Sequence, residues 1–125
     1  MAYEDYFHKA QKSLKAGRVL FEIELYDSAV SRSYYAMFQM AIAVLMKMGI
    51  KPPKEGTYNH SWVQAVVVQE LIRRRKRLAR KFGNYLPLLL ELRHEADYKG
   101  IEISGKTAAR AIKNAAEYLD ALSHV

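Results

Sequence analysis

The chain has no cysteine, only three prolines and only six glycines in 125 residues. Without cysteine there is no disulfide, no thiolate nucleophile and no Cys-ligated zinc, so side-chain packing must hold the fold. Scarce proline and glycine argue against a loop-rich or all-β design and for long, uninterrupted helices. A long hydrophobic run is missing too. The most apolar stretch, Tyr34 to Met46, is interrupted by Gln39 and is shorter than the roughly 20 residues a bilayer span requires. The opening MAYEDYFHKAQKSLK is charged from its fourth residue, unlike an export signal with its apolar centre. The expectation is a soluble cytoplasmic protein that does not engage a membrane.

What is present is apolar mass and positive charge. Half the residues are hydrophobic, enough for one core in a single domain spanning residues 1–125; a chain of this size buries about two-thirds of the surface its unfolded form exposes. Lys and Arg number 20 against 13 Asp and Glu, a net charge of +7. The excess is local. Residues 1–50 carry six basic and five acidic side chains, residues 51–83 nine and two, and residues 84–125 five and six. Most of the middle excess is one run, RRRKRLARK, containing Arg73, Arg74, Arg75, Lys76, Arg77, Arg80 and Lys81. Such density attracts a polyanion or an acidic partner through salt-dependent contacts. A solvated helix end, its cations complementing the dipole, is the plainer alternative.

The apolar pattern divides the chain into five helices. From Ala2 to Leu25, residues such as Tyr3, Tyr6, Phe7, Ala10 and Leu14 recur at steps of three and four, the spacing of an amphipathic helix. A tight turn near Leu25–Asp27 leads to a second helix that ends at about Lys47, with Gly49 as cap and two prolines beyond; the pair forms an antiparallel hairpin. Lys51–Asn59 is a loop. Asn59 or Ser61 caps a third helix with Trp62, Val63, Val66, Val67, Leu71 and Ile72 on its apolar side; it continues into the basic run and breaks at Phe82–Asn84. The fourth starts near Tyr85, with Leu88, Leu89, Leu92 and Ala96 inward and Pro87 tolerated in its first turn. After an extended IEIS connector, Ser104 opens a last helix striped by Ala108, Ala111, Ile112, Ala115, Leu119 and Leu122. The fold class is all-α, an up-and-down bundle of five helices.

Few residues carry the marks of chemistry. His8, His60, His94 and His124 are isolated, none with a ligand partner one turn away, so no metal is expected, and no cofactor either. GxSxG turns and glycine-rich phosphate loops are absent. On the second helix, Arg32 and Tyr35 share a face with Ser28 and Gln39 beside the inward stripe of Ala29, Tyr34, Met37, Phe38, Ala41 and Leu45. A guanidinium with five donors next to a phenol ring suits a phosphate or a base; alternatively Arg32 pairs with Asp97 and Tyr35 only packs. On the fourth helix, in LRHEADYKG, Arg93 and Asp97 share one face and His94 and Tyr98 the next. A histidine beside an arginine can do acid–base work on RNA.

The segments AVSRSYYAMFQMAIAVLMKMG and LRHEADY, with the alanine-rich last helix, resemble the HEPN domain (higher eukaryotes and prokaryotes nucleotide-binding) in its small stand-alone prokaryotic form. The likeness covers nearly the whole chain. It implies a helical bundle of four or five helices, a homodimer, a role beside a minimal nucleotidyltransferase in a toxin–antitoxin-like pair, and in many members ribonuclease activity. HEPN ribonucleases are recognised by an arginine followed, after four to six residues, by a histidine, and this chain has no such pair. If Arg93 is the family arginine, Tyr98 stands at the histidine position, and a phenol with a pKa near 10 is a poor base. The expected function is therefore a binding or regulatory module whose ligand, nucleotide or RNA phosphate, meets Arg32, Tyr35, Arg93, Asp97 and Tyr98. The alternatives are a metal-independent ribonuclease using Arg93, His94 and Tyr98, and a structural partner-binding bundle. A homodimer through the second and fourth helices is expected, because a bundle of this size cannot bury all their apolar residues.

Overall fold

In the computed structural model, which describes residues 2–125, α2 is the central element and the other helices are laid around it. The helices are α1 (Tyr3–Glu22), α2 (Tyr26–Lys47), α3 (His60–Val66), α4 (Tyr85–Tyr98) and α5 (Gly105–Ser123). No strand occurs among the described residues. α2 packs against α1, α4 and α5. From Val30 to Leu45 almost every side chain of α2 is buried, as expected of a helix that is apolar on nearly all sides. Its inward stripe is as read from the sequence: Ala29, Tyr34, Met37, Phe38, Ala41 and Leu45 are all core residues. No helix among the described residues is long and apolar enough to cross a membrane.

Local signals account for the helix ends. Asn59 Oδ1 accepts the Trp62 N–H at 3.2 Å to cap α3, and Ser104 Oγ accepts the Thr107 N–H at 3.1 Å to cap α5; each satisfies one of the donors a helix start leaves free. Gly49 ends α2 with φ +75°, a conformation that costs glycine little. Between the first two helices, Gly17 permits close approach: a Cβ there would lie 3.3 Å from the Ala29 carbonyl oxygen and 3.4 Å from Ser33 Oγ.

Four expectations are corrected. α1 ends at Glu22, not Leu25, because the turn starts earlier, with Glu24 at φ 63°. The third helix does not run straight through the basic stretch: after Val66 it widens into a π-helical segment, Val67–Arg74, and the chain then reverses at Lys76, whose φ is 51°. Phe82–Asn84, expected to break that helix, instead belongs to a 3₁₀ turn, Arg80–Asn84, with Phe82 buried as its anchor. On α4 the buried residues are Leu86 and Leu89, while Leu88 is exposed. Among the apolar residues of α2 and α4, Tyr26, Tyr35 and Met46 are only partly buried and Leu88 and Tyr98 are exposed.

Candidate functional site

Among the α2 residues that escape burial, Tyr35 meets α4, and polar groups collect around it. Arg93 of α4 lies with its guanidinium carbon 4.8 Å from the Tyr35 ring centroid. Arg32, one turn before Tyr35, approaches the same ring at 5.8 Å. Both distances lie within cation–π range. Two guanidiniums thus flank one phenol ring.

Arg93 has only a loose acidic partner. Its Nε is 3.7 Å from Asp97 Oδ2, close enough for an ion pair but too far for a hydrogen bond, and this buried Nε has no hydrogen-bond partner. Asp97 therefore pairs with Arg93, and the alternative pairing with Arg32 is not formed. Arg32 is exposed and takes part in no salt bridge among the described residues.

Behind Tyr35 is a set of side chains that spacing along the chain does not reveal. Tyr34 is fully buried, and its hydroxyl lies 2.5 Å from Nδ1 of His60, the first residue of α3. The His60 ring packs 4.6 Å from Phe38. Burial, and then the charge of Arg93, lower the His60 pKa below that of a free histidine, so the imidazole is neutral at pH 7. Burial raises the Tyr34 pKa well above that of a free phenol. A phenol that stays protonated donates to Nδ1, which leaves the imidazole proton on Nε2. Gln64, one turn along α3, faces the Tyr34 hydroxyl, and its buried Nε2 has no partner. The cluster therefore brings two guanidiniums and a neutral imidazole to one phenol ring, and the guanidiniums are the groups suited to an anion.

Of the residues singled out by sequence, Arg32, Tyr35, Arg93 and Asp97 are brought together. Tyr98 is not part of this group. It is 75% exposed and rests on the His94 ring at 4.7 Å, so it does not orient Arg93. His94 likewise faces solvent. Gln39 is drawn away to α1 by a 2.7 Å hydrogen bond with Ser13. His60, Tyr34 and Gln64 are the residues that sequence reasoning missed; the one available signal was the Asn59 cap, which fixes His60 at the start of α3. No group of three His, Asp or Glu side chains among the described residues could hold a metal ion.

Against known families, residues 3–125 match the model of the HEPN domain. "Putative toxin MJ0142" of Methanocaldococcus jannaschii is 36% identical over 123 residues, covering 98% of this chain and 74% of that protein. "Putative toxin MJ0605" of the same organism is 28% identical over 115 residues, covering 89% and 78%. A "UPF0332 protein" of Thermotoga maritima is 29% identical over 115 residues, covering 91% and 83%.

Proposed function

The chain belongs to the HEPN domain family, and from that premise we propose that it is a toxin-like or regulatory HEPN protein that holds the phosphate of a nucleotide or RNA between Arg32 and Arg93 without cutting it. The observation that carries this reading is the Arg93 guanidinium laid on the Tyr35 ring, with a distant carboxylate and an Nε lacking any hydrogen bond. Asp97 approaches only the Nε side of Arg93, leaving the terminal N–H groups of the guanidinium without a carboxylate, and a bidentate guanidinium–phosphate contact is among the stronger charge-assisted hydrogen bonds. The relatives named as toxins agree with the coarser part of the reading. The partner would be a minimal nucleotidyltransferase. Self-association, where it occurs, would use the exposed α4 surface of Leu88 and Tyr98.

One observation favours a ribonuclease reading. The charge of Arg93 helps to lower the His60 pKa, so an arginine and a histidine absent as a linear pair act on one another through the fold. The tautomer weighs against it. With Nδ1 occupied by the Tyr34 hydroxyl, His60 presents an N–H and no free lone pair, which suits binding rather than proton abstraction.

Fluorescence anisotropy with a labelled oligouridylate, run in EDTA beside a cleavage gel, tests the proposal. The expected result is binding of intact RNA by the wild type and at least about tenfold weaker binding by Arg93→Ala. Cleavage by the wild type that is lost in Arg93→Ala and His60→Ala would establish the ribonuclease instead. Equal binding by wild type and Arg93→Ala would reduce the cleft to a structural ion pair. Co-purification with a nucleotidyltransferase encoded beside the gene tests the partner.

A further inference from the structure

The first turns of α1, the last turns of α2 and the end of α5 line a cavity of about 340 Å³. None of its lining residues belongs to the Tyr35–Arg93 site. On α2, Met40, Ala43, Val44 and Lys47 recur at steps of three and four and so share one face. Ala43, in their midst, supplies only a methyl group. Tyr3 and Phe7, four apart on α1, form a facing wall, and Leu122 of α5 closes the side between them. Met40, Ala43 and Leu122 are buried, whereas Tyr3 is 39% exposed, so the cavity has an apolar floor and an aromatic rim that reaches solvent.

The polar groups of this cavity are few, and its two charges are of opposite sign. Glu4 of α1 and Lys47 of α2 both line it and are exposed, yet neither takes part in a salt bridge among the described residues. Lys47 Nζ lies 5.9 Å from the Tyr3 ring centroid, within cation–π range, so the ammonium is placed by the aromatic wall and not by a carboxylate. Ser123 also lines the cavity, but its hydroxyl donates to the Asp120 carbonyl at 2.6 Å. His8 sets its ring edge-on to Phe7, at 6.0 Å between centroids. An apolar hollow with a small number of convergent polar groups is the usual form of a small-molecule site. Met40 and Met48 line this one, and their flexible thioethers adapt to an inserted group and make favourable contacts with aromatic rings.

We propose that this cavity binds a free amino acid with a large apolar side chain, the side chain on the floor of Met40, Ala43 and Leu122, the α-carboxylate toward Lys47 and the α-ammonium toward Glu4. Burial of the side chain drives binding, and the two rim charges select the head group. An apolar monoanion would pair with Lys47 but carry its charge to Glu4, and an apolar amine would do the reverse. A zwitterion matches both, and the mismatch of one charge is what discriminates against the others. The volume lies near the lower end of the roughly 300–1,000 Å³ typical of small-ligand sites, in keeping with a ligand of this size. The inference does not depend on the phosphate-binding reading of the Tyr35–Arg93 site.

The test is a chemical-shift titration of the full chain with phenylalanine, with alanine, with hydrocinnamate, which lacks the ammonium, and with phenethylamine, which lacks the carboxylate. For the wild type, phenylalanine should give saturable shifts at the cavity residues below about 10 mM. It should bind at least about tenfold more tightly than alanine, because more apolar surface leaves water, and about two- to fivefold more tightly than either analogue, the range of an exposed ion pair. Lys47→Gln should weaken phenylalanine and hydrocinnamate by that factor and leave phenethylamine unchanged. Glu4→Gln should weaken phenylalanine and phenethylamine and leave hydrocinnamate unchanged. Both positions are exposed, so both variants should fold, which circular dichroism checks. Ala43→Leu fills the floor and should abolish binding of all the aromatic ligands; where it fails to fold, the two charge variants decide alone. The proposal is overturned if phenylalanine gives no saturable shifts at these residues, if alanine binds as tightly as phenylalanine, or if both analogues match phenylalanine in the wild type.

Discussion

Arg93 of α4 lays its guanidinium 4.8 Å from the ring centroid of Tyr35 on α2, and this contact between helices distant in sequence forms the candidate site. The ring covers one face of the cation, and the opposing carboxylate stands at 3.7 Å. Arg93 is thereby held in place with hydrogen-bonding capacity left over, the condition for a preorganised anion site.

Tyr35→Phe keeps the ring and should bind the labelled oligouridylate within about twofold of the wild type. Tyr35→Ala removes the support under both guanidiniums and should weaken binding about three- to tenfold, matching the roughly 0.5–1 kcal/mol of an exposed cation–π contact and somewhat more where it is desolvated. Anisotropy titrations compare the two; equal losses would show that the hydroxyl, and not the ring, matters.

Gly17→Leu should destabilise the α1–α2 hairpin by about 1–3 kcal/mol, since a branched side chain cannot fit where a single Cβ already meets the Ala29 carbonyl and Ser33 Oγ. Urea unfolding followed by circular dichroism measures this. An unchanged midpoint would mean the two helices can separate at no cost.

Stability should fall as the pH drops below the ordinary histidine value of about 6.5. His60 has a lowered pKa in the fold, so the unfolded chain takes up the proton first and gains from it. Urea midpoints measured from pH 7.5 down to pH 5 should decrease, and less steeply in His60→Gln. On the alkaline side, burial and the Glu117 carboxylate push Tyr85 up to about 12. Here the folded phenol resists ionisation, so stability is full below about pH 10 and is lost as the pH rises through 12. Tyrosinate absorbance should show a late fraction that merges with the rest on unfolding.

Asp27→Ala should cost about 1 kcal/mol, because Asp27 Oδ1 accepts the Ile103 N–H at 3.1 Å and ties the connector before α5 to the start of α2. Asp27→Asn retains an acceptor and should recover most of that loss. Denaturant midpoints of both variants check it, with hydrogen exchange at Ile103 as the local readout.

Local chemistry made much of the molecule legible in the sequence. Apolar spacing of three and four residues locates α2 and α5 and their inward faces, the Asn59 and Ser104 caps mark where α3 and α5 begin, and the four-residue step from Arg93 to Asp97 brings those two together. Each depends on contacts within one or two helical turns, which backbone geometry fixes. Leu88 was misread because neighbouring leucines fit more than one stripe, and only packing against α2 and α5 selects Leu86 and Leu89.

Tertiary structure alone decided the rest. His60 meets Tyr34 across 26 positions of chain, Arg93 reaches Tyr35 from another helix, and four of the seven basic residues in the run, Arg73, Lys76, Arg77 and Arg80, form no salt bridge among the described residues, where the backbone reverses at Lys76, a non-glycine residue whose positive φ has no sequence signature. A sequence specifies which surfaces are apolar and where helices start, because those follow from neighbours along the chain. Which polar groups share a cleft, and which charges remain unpaired within it, depends on how the helices pack against each other.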